Sequence, residues 1–426
     1  MSILFKNITY LDLENEKIIE DIDIYVKDKK IEKIGKNLSL DADEMYEGKL
    51  KLLVPGFCNA HSHIGMAGLR NYADDMDLQT WLSDKIWPAE AKFDAEAIYW
   101  FSLLSILEMI KSGVTSFCDM YYFMDSVAKA TQESGMKALL TRGMMDIDGV
   151  DRSNDMWNLY KKYNHKDDRI IVAPGPHAIY TCSDEYLLQM RDMALDMNGI
   201  INIHLSETKK EVEDCLSING KRPLEHLLNI GFFDGLHVVA AHCTHLSPKE
   251  IELCRQLDIY PIYNPSSNLK LASGFTPVKS MLKSELKVGL GTDGSSSNNN
   301  QNFVEEIHLA SLVSKAVEED PKCLSSIEVL KMASRNGQLA LGFCDSGLIK
   351  EGYRADFAIF DLDSLNFTPA NNLISALTYS ASASDVCATV VDGSFLMKDK
   401  KVLSLDEEKI KRKVIENVNR IFNKGE

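Results

Sequence analysis

From Pro55 to Phe343 the chain repeats one unit, a short apolar or β-branched run followed by an amphipathic helical stretch. Eight such runs occur: Phe57 to His63, Val114 to Phe117, Lys137 to Leu140, Ile170 to Ala173, Ile201 to His204, Val238 to His242, Ile259 to Tyr263 and Lys287 to Leu290. A crossover between parallel strands needs a connection long enough to hold a helix, so this alternation specifies a parallel sheet. Eight units predict a closed (β/α)8 barrel of the TIM type over residues 55–343, with its chemistry at the C-terminal ends of the strands.

The flanks read differently. Ile22 to Val26 and Ile31 to Ile34 alternate apolar and polar positions between turn-prone clusters, and the texture returns in Ala355 to Asp361 and Ala388 to Gly393. Residues 1–54 and 344–426 are therefore expected to form one small composite β-sandwich domain beside the barrel. A length of 426 residues suits one large domain with a satellite.

Charge narrows the partners. A net charge of -16 repels nucleic-acid phosphates and anionic membranes, so neither is an expected partner and a small molecule fits better; a homo-oligomer stays open. The nine cysteines are odd in number and contain no C-x-x-C pair, which argues against a disulfide framework. No apolar run approaches membrane-spanning length and Met1 to Lys6 opens no secretory leader, so the expected location is cytoplasmic.

His61 and His63 stand two residues apart on the first strand, where i and i+2 share a face. His204 ends the fifth strand, His242 ends the sixth and Asp293 follows the eighth. Taken singly, each has a bland reading, a buried histidine as a hydrogen-bonded core residue and a strand-end aspartate as a turn former. Together His61, His63, His204 and Asp293 make a three-nitrogen, one-oxygen set suited to one divalent ion, Zn²⁺ or Fe²⁺, with water completing the sphere. Such an ion lowers the pKa of its water to about 7 and supplies a nucleophile. Glu207, three residues beyond His204, is the candidate general acid-base; its bland reading is a helix-start glutamate favoured by the dipole.

These residues, with Pro55-Gly56, Asp74 to Trp81, Gly175-Pro176-His177, His204 to Thr208, His242 to His245, Asn264 to Leu271 and Gly291 to Gly294, resemble the cytosine deaminase-like branch of the amidohydrolase superfamily. Within it they resemble most the 5′-methylthioadenosine/S-adenosylhomocysteine deaminases, and the resemblance covers almost the whole chain. It implies hydrolytic replacement of the 6-amino group of an adenosine derivative by an oxo group, releasing ammonia. The matches to His61, His63, His204 and Asp293 would hold the metal. Glu207 would carry a proton to a ring nitrogen, Asp293 would take one from the water, and His242 would orient the water or stabilise the transition state. No lysine occurs in Val172 to His177, where binuclear relatives carry a carboxylated one, so a mononuclear site is implied.

For the substrate the resemblance implies Trp81 and Glu90 around ribose and base, and Arg142, Arg152 and His177 near the far end, where an arginine could hold the carboxylate of a homocysteine tail. As plain sequence, Arg152 could equally be a solvated surface arginine and Trp81 a core aromatic. The chain departs from the usual pattern at Ile179, often proline in relatives, and at Ala383, often glycine. Two other classes stay open: a related hydrolase acting on guanine or a triazine, and an inactive scaffold, which would be expected to have lost its ligands.

Overall fold

The computed structural model describes residues 2–422; residue 1 and residues 423–426, the extreme ends of the expected flanking segments, lie outside the described residues. Five strands come first, β1 (Ser2–Asp12), β2 (Lys17–Lys27), β3 (Lys30–Gly35), β4 (Glu44–Glu47) and β5 (Lys51–Pro55). The barrel strands follow: β6 (Phe57–His63), β7 (Val114–Tyr121), β8 (Lys137–Met144), β9 (Ile170–Pro176), β10 (Ile200–Leu205), β11 (His237–His242), β12 (Ile259–Tyr263), β13 (Gly289–Leu290) and β14 (Asp293–Gly294). Four more close the chain's strand content among the described residues, β15 (Phe357–Asp361), β16 (Val386–Val391), β17 (Ser394–Lys398) and β18 (Lys401–Val402).

The terminal strands form one nine-stranded sheet in the order β18-β17-β16-β15-β5-β1-β2-β3, with β4 beside β1. Phe5 on β1 and Phe395 on β17 are four strand steps apart in that order, roughly 19 Å on a flat sheet at about 4.8 Å per strand. Their ring centroids are 6.1 Å apart, so the sheet curls over itself. Lys398 on β17 meets Glu44 on β4 at 2.5 Å across the fold. The curl encloses Ile3, Phe5, Ile24, Val26, Phe357 and Val390 and gives one continuous sheet the packing of a sandwich.

The barrel consists of two parallel arcs, β14-β6-β7-β8-β9 and β10-β11-β12-β13. His204 N–H donates to His177 O at 3.0 Å across the seam between β9 and β10. The other seam is covalent. The expected eighth strand is a split stave: Gly289–Leu290 pairs with β12, then Gly291 and Thr292 cross over so that Asp293–Gly294 pairs with Ser62 and His63 of β6. Strands β6 to β12 each contribute to a dry interior cluster that includes Cys58, Ala60, Leu139 and Val239, as expected of a filled barrel. All eight staves were anticipated; Asp293 lies within the last stave rather than after it.

A bulge sets the orientation of the histidine pair. Asn59 pairs with Phe117 while Ser62 pairs with Asp119, three residues of β6 against two of β7. Before the bulge Cys58 and Ala60 point into the interior cluster. After it the parity is reversed, and His61 and His63 face the barrel mouth.

At the opposite end, fully buried Lys137 opens β8, donates to Ser346 Oγ at 2.9 Å and pairs with Asp356, with Asp392 at 3.4 Å. This network joins the barrel floor to the terminal sheet. The C-terminal flank also carries a helix, Glu407–Phe422. It docks on the barrel helix Ala95–Lys111 through Lys111–Glu407 at 2.5 Å, while Arg420 pairs with Asp94, the residue capping that helix. Among the described residues no helix is long and apolar enough to cross a membrane.

Candidate active site and metal centre

The ends of β6, β10, β11 and β14 deliver four imidazoles and a carboxylate to one buried cluster. Ligand atoms of His61, His63 and Asp293 lie within 4.8 Å of one another, as do those of His61, His204 and His242. His63 Nε2 is 3.2 Å from Asp293 Oδ1 and 3.3 Å from His204 Nε2. Among the described residues both ring nitrogens of fully buried His61 lack a hydrogen-bond partner. Its Nε2 stands 3.5 Å from Asp293 Oδ1, too long for a good hydrogen bond. Buried nitrogens are rarely left unpaired, and a divalent ion among these donors would satisfy Nε2, the one facing Asp293.

The surroundings prepare the Nε2 atoms for that role. His63 Nδ1 lies 2.5 Å from Met120 O, and His204 Nδ1 lies 2.7 Å from His177 O. A carbonyl accepts only from N–H, so each Nδ1 carries a proton and each Nε2 is turned to the cluster. Asp293 Oδ2 accepts from Ser267 Oγ at 2.6 Å and Ser297 Oγ at 3.1 Å, leaving Oδ1 for the histidines. The donor set fits a single divalent metal.

The backbone that presents these groups is strained. Ser206, His242, Cys243 and Asp293 all have left-handed φ between 50° and 69°, at about 1–3 kcal/mol each. Asp293 is held there by Gln301 Nε2, which donates to its carbonyl at 3.0 Å, and by Asn59 Oδ1, which accepts the Thr292 N–H at 2.9 Å.

Electrostatics separate the groups by task. Burial pulls His61 down to about 4. It also pulls on His63, but the Asp293 hydrogen bond and charge outweigh it and hold that ring up at about 9. Burial and the surrounding imidazoles push His177 down to about 3. Asp293 stays well below the carboxylate range, because its two histidine partners overcome the burial that would raise it. Glu207 goes the other way: burial, reinforced by Asp293, raises it against His242 and Ser273.

Glu207 is 5% exposed and lines the same cavity as His63, His204, His242 and Asp293. Its Oε2 stands 3.8 Å from His242 Nε2, and Ser273 Oγ donates to its Oε1 at 3.2 Å. His242 turns its Nδ1 to Asn268 Oδ1 at 2.9 Å and so points Nε2 inward. His177 also lines the cavity, with its Nδ1 3.0 Å from Thr181 Oγ1.

Trp81 and Glu90 line the same cavity. The Trp81 indole donates to Ala73 O at 3.1 Å, so its ring is fixed as a buried apolar surface. Glu90 accepts from the Tyr121 hydroxyl, and burial pushes its carboxyl up to about 7 against that bond. Arg142 and Arg152 do not line this cavity. They line an adjoining groove that shares Trp87, Glu90, Tyr122 and Met145 with it. Arg142 lies within β8 rather than after it, stacks at 5.5 Å over Tyr122 and donates to Gly143 O at 2.7 Å. Arg152 pairs with Asp148 and donates to the carbonyls of Met145 and Val150, both at 2.9 Å.

Sequence reasoning assigned no role to Tyr121, Ser267, Asn268, Ser273 or Ser297. Ser267 and Asn268 belong to the Asn264–Leu271 motif, which was the only signal pointing to them.

Comparison with known proteins agrees with this geometry. The chain is 46% identical over 418 residues, covering 96% of itself and 97% of the relative, to 5-methylthioadenosine/S-adenosylhomocysteine deaminase of Thermoanaerobacter pseudethanolicus. It is 41% identical to 5′-deoxyadenosine deaminase of Methanocaldococcus jannaschii, over 92% of this chain and 95% of the other. A zinc-bound adenosine deaminase structure from Xanthomonas campestris superposes with a TM-score of 0.94 at 29% identity, covering 99% of this chain and 98% of that one. Residues 52–396, the barrel together with part of the curled sheet, match the amidohydrolase family, and the chain belongs to that family.

Proposed function

We propose that the protein is a metal-dependent hydrolytic deaminase that converts the 6-amino group of an adenosine derivative to a 6-oxo group. The substrate would be 5′-methylthioadenosine, S-adenosylhomocysteine, 5′-deoxyadenosine or adenosine. The observation that carries the reading is the buried carboxyl of Glu207, raised in pKa and lining one cavity with His63, His204 and Asp293, each of which clusters with His61. The names of the relatives supply the substrate class.

The division of labour follows from the residues. When bound by His61, His63, His204 and Asp293, the ion, proposed as Zn²⁺ with Fe²⁺ fitting the same donors, supplies the Lewis acidity that makes water a nucleophile near neutral pH. Asp293, with Oδ2 satisfied by two serines, accepts the proton of the water that adds to C6. Glu207 delivers a proton to the adjacent ring nitrogen, so no charge is stranded on the purine. As the C–N bond breaks, the proton held on Asp293 leaves with ammonia, and Glu207 takes the proton of the C6 hydroxyl, leaving the 6-oxo product protonated on the ring nitrogen. His242 steadies the oxygen from the side opposite Asn268. Glu90, beside Tyr121, is the proposed acceptor for ribose hydroxyls, with Trp81 as the apolar wall. Residues 55–343 would form the catalytic unit, with 1–54 and 344–426 bracing its floor.

The test is a panel. Metal-replete protein is incubated with the four nucleosides, guanine and a triazine, and ammonia and product mass are read. Ammonia release from the adenosine derivatives is expected, with Glu207→Gln slower by about 10²–10⁴ at unchanged metal content. Turnover of guanine or triazine alone would overturn the substrate class.

A further inference from the structure

We infer that Glu211 is a positioning residue for Glu207, holding the peptide units on which the proton-carrying carboxyl is mounted. This rests on reading Glu207 as the proton carrier. Glu211 lies in the first turn of the helix Lys209–Asn219 and is 3% exposed. Both its oxygens are bound to backbone: Oε1 accepts the Ser206 N–H at 2.9 Å and Oε2 accepts the Glu207 N–H at 2.7 Å.

An ordinary helix-start glutamate returns to the N–H of the capping residue. Here the cap is Thr208, whose Oγ1 accepts the Glu211 N–H at 3.1 Å, but the glutamate reaches past it to the two residues before. Those are the residues that need holding, since Ser206 is left-handed at φ 50° and Glu207 carries the functional group. The same two residues are gripped by their carbonyls from the loop that follows the neighbouring strand β11. Thr244 Oγ1 donates to Ser206 O at 3.1 Å and to Glu207 O at 2.6 Å. Donors and acceptors of this short segment are thus fixed by two separate side chains. A cap serving only the helix would not require a buried carboxyl group aimed upstream of it.

The test uses full-length, metal-replete protein as wild type, Glu211→Gln, Glu207→Gln and the double variant. Glu211→Gln turns one acceptor into a donor facing an N–H. It should lower kcat about 10- to 100-fold with KM little changed and one metal per chain retained. Hydrogen exchange at the amides of Ser206 and Glu207 should quicken in the same variant. Because Glu211 acts through Glu207, the double variant should be no slower than Glu207→Gln alone. Losses that multiply, unchanged kcat in folded Glu211→Gln, or unchanged exchange at those amides would each overturn the inference. Should Glu211→Gln fail to fold, Glu211→Asp, which keeps the carboxyl group but cannot reach both amides, is held to the same outcomes. If Glu207→Gln turns over normally, the reading of Glu207 falls and this inference with it. If Glu207→Gln is slow while Glu211→Gln is not, only the role of Glu211 falls.

Discussion

Arg142 and Arg152 share one groove beside the cavity but are differently engaged. Arg152 is committed to Asp148 and two backbone carbonyls, whereas Arg142 gives one donor to Gly143 O and stacks on Tyr122. Arg142 is therefore the arginine better placed to meet a substrate carboxylate. Only S-adenosylhomocysteine among the proposed substrates carries one. Arg142→Met should cost that substrate about 1.5–3 kcal/mol in kcat/KM and 5′-methylthioadenosine far less; equal losses would make Arg142 structural. The candidate metal cluster was legible as sequence because strand periodicity puts His61 and His63 on one face and the barrel pattern brings strand ends to one mouth, although the bulge in β6 decides which face that is. The serines that hold Asp293 were not. A hydroxyl is too common to be singled out, and Ser267 and Asp293 are 26 positions apart in the chain.

The elements were legible where periodicity is strong and obscure where it breaks. Seven staves announce themselves as apolar runs, but the eighth pairs through only two residues on each side of Gly291-Thr292. Gly291 marks a close approach: a Cβ there would sit 2.9 Å from both the backbone N and O of His61. Gly291→Ala should push the stave carrying Asp293 away from β6, at about 1–3 kcal/mol. Purified variant should hold less than one metal per chain and unfold earlier than wild type. Full metal content with unchanged stability would show that the stave tolerates the shift. The bulge in β6 was invisible beforehand, since it depends on the register against β7. The helix Glu407–Phe422 was within reach, because Ile410, Val414, Val418 and Ile421 recur at helical spacing, but the strand-rich texture upstream masked it.

Across the whole molecule, stability and chemistry sit at opposite ends of the barrel. Lys137, Ser346, Asp356 and Asp392 lock the floor to the curled sheet, far along β8 from the mouth. Lys137→Met would strip buried Asp356 of its cation, while Asp392 keeps Arg354 at 3.0 Å, and should destabilise the fold by about 3–5 kcal/mol. Denaturant unfolding should register that loss while the folded fraction keeps its metal and kcat; a matching fall in kcat would contradict the separation. The central claim is that water replaces the 6-amino group at a metal-dependent barrel mouth. The measurement that addresses it most directly is turnover of 5′-methylthioadenosine in ¹⁸O-labelled water before and after chelation. The account predicts labelled 6-oxo product with an equal amount of ammonia, abolished by chelation and restored by a divalent ion. Unlabelled product, release of free adenine, or undiminished turnover in metal-free protein would contradict it.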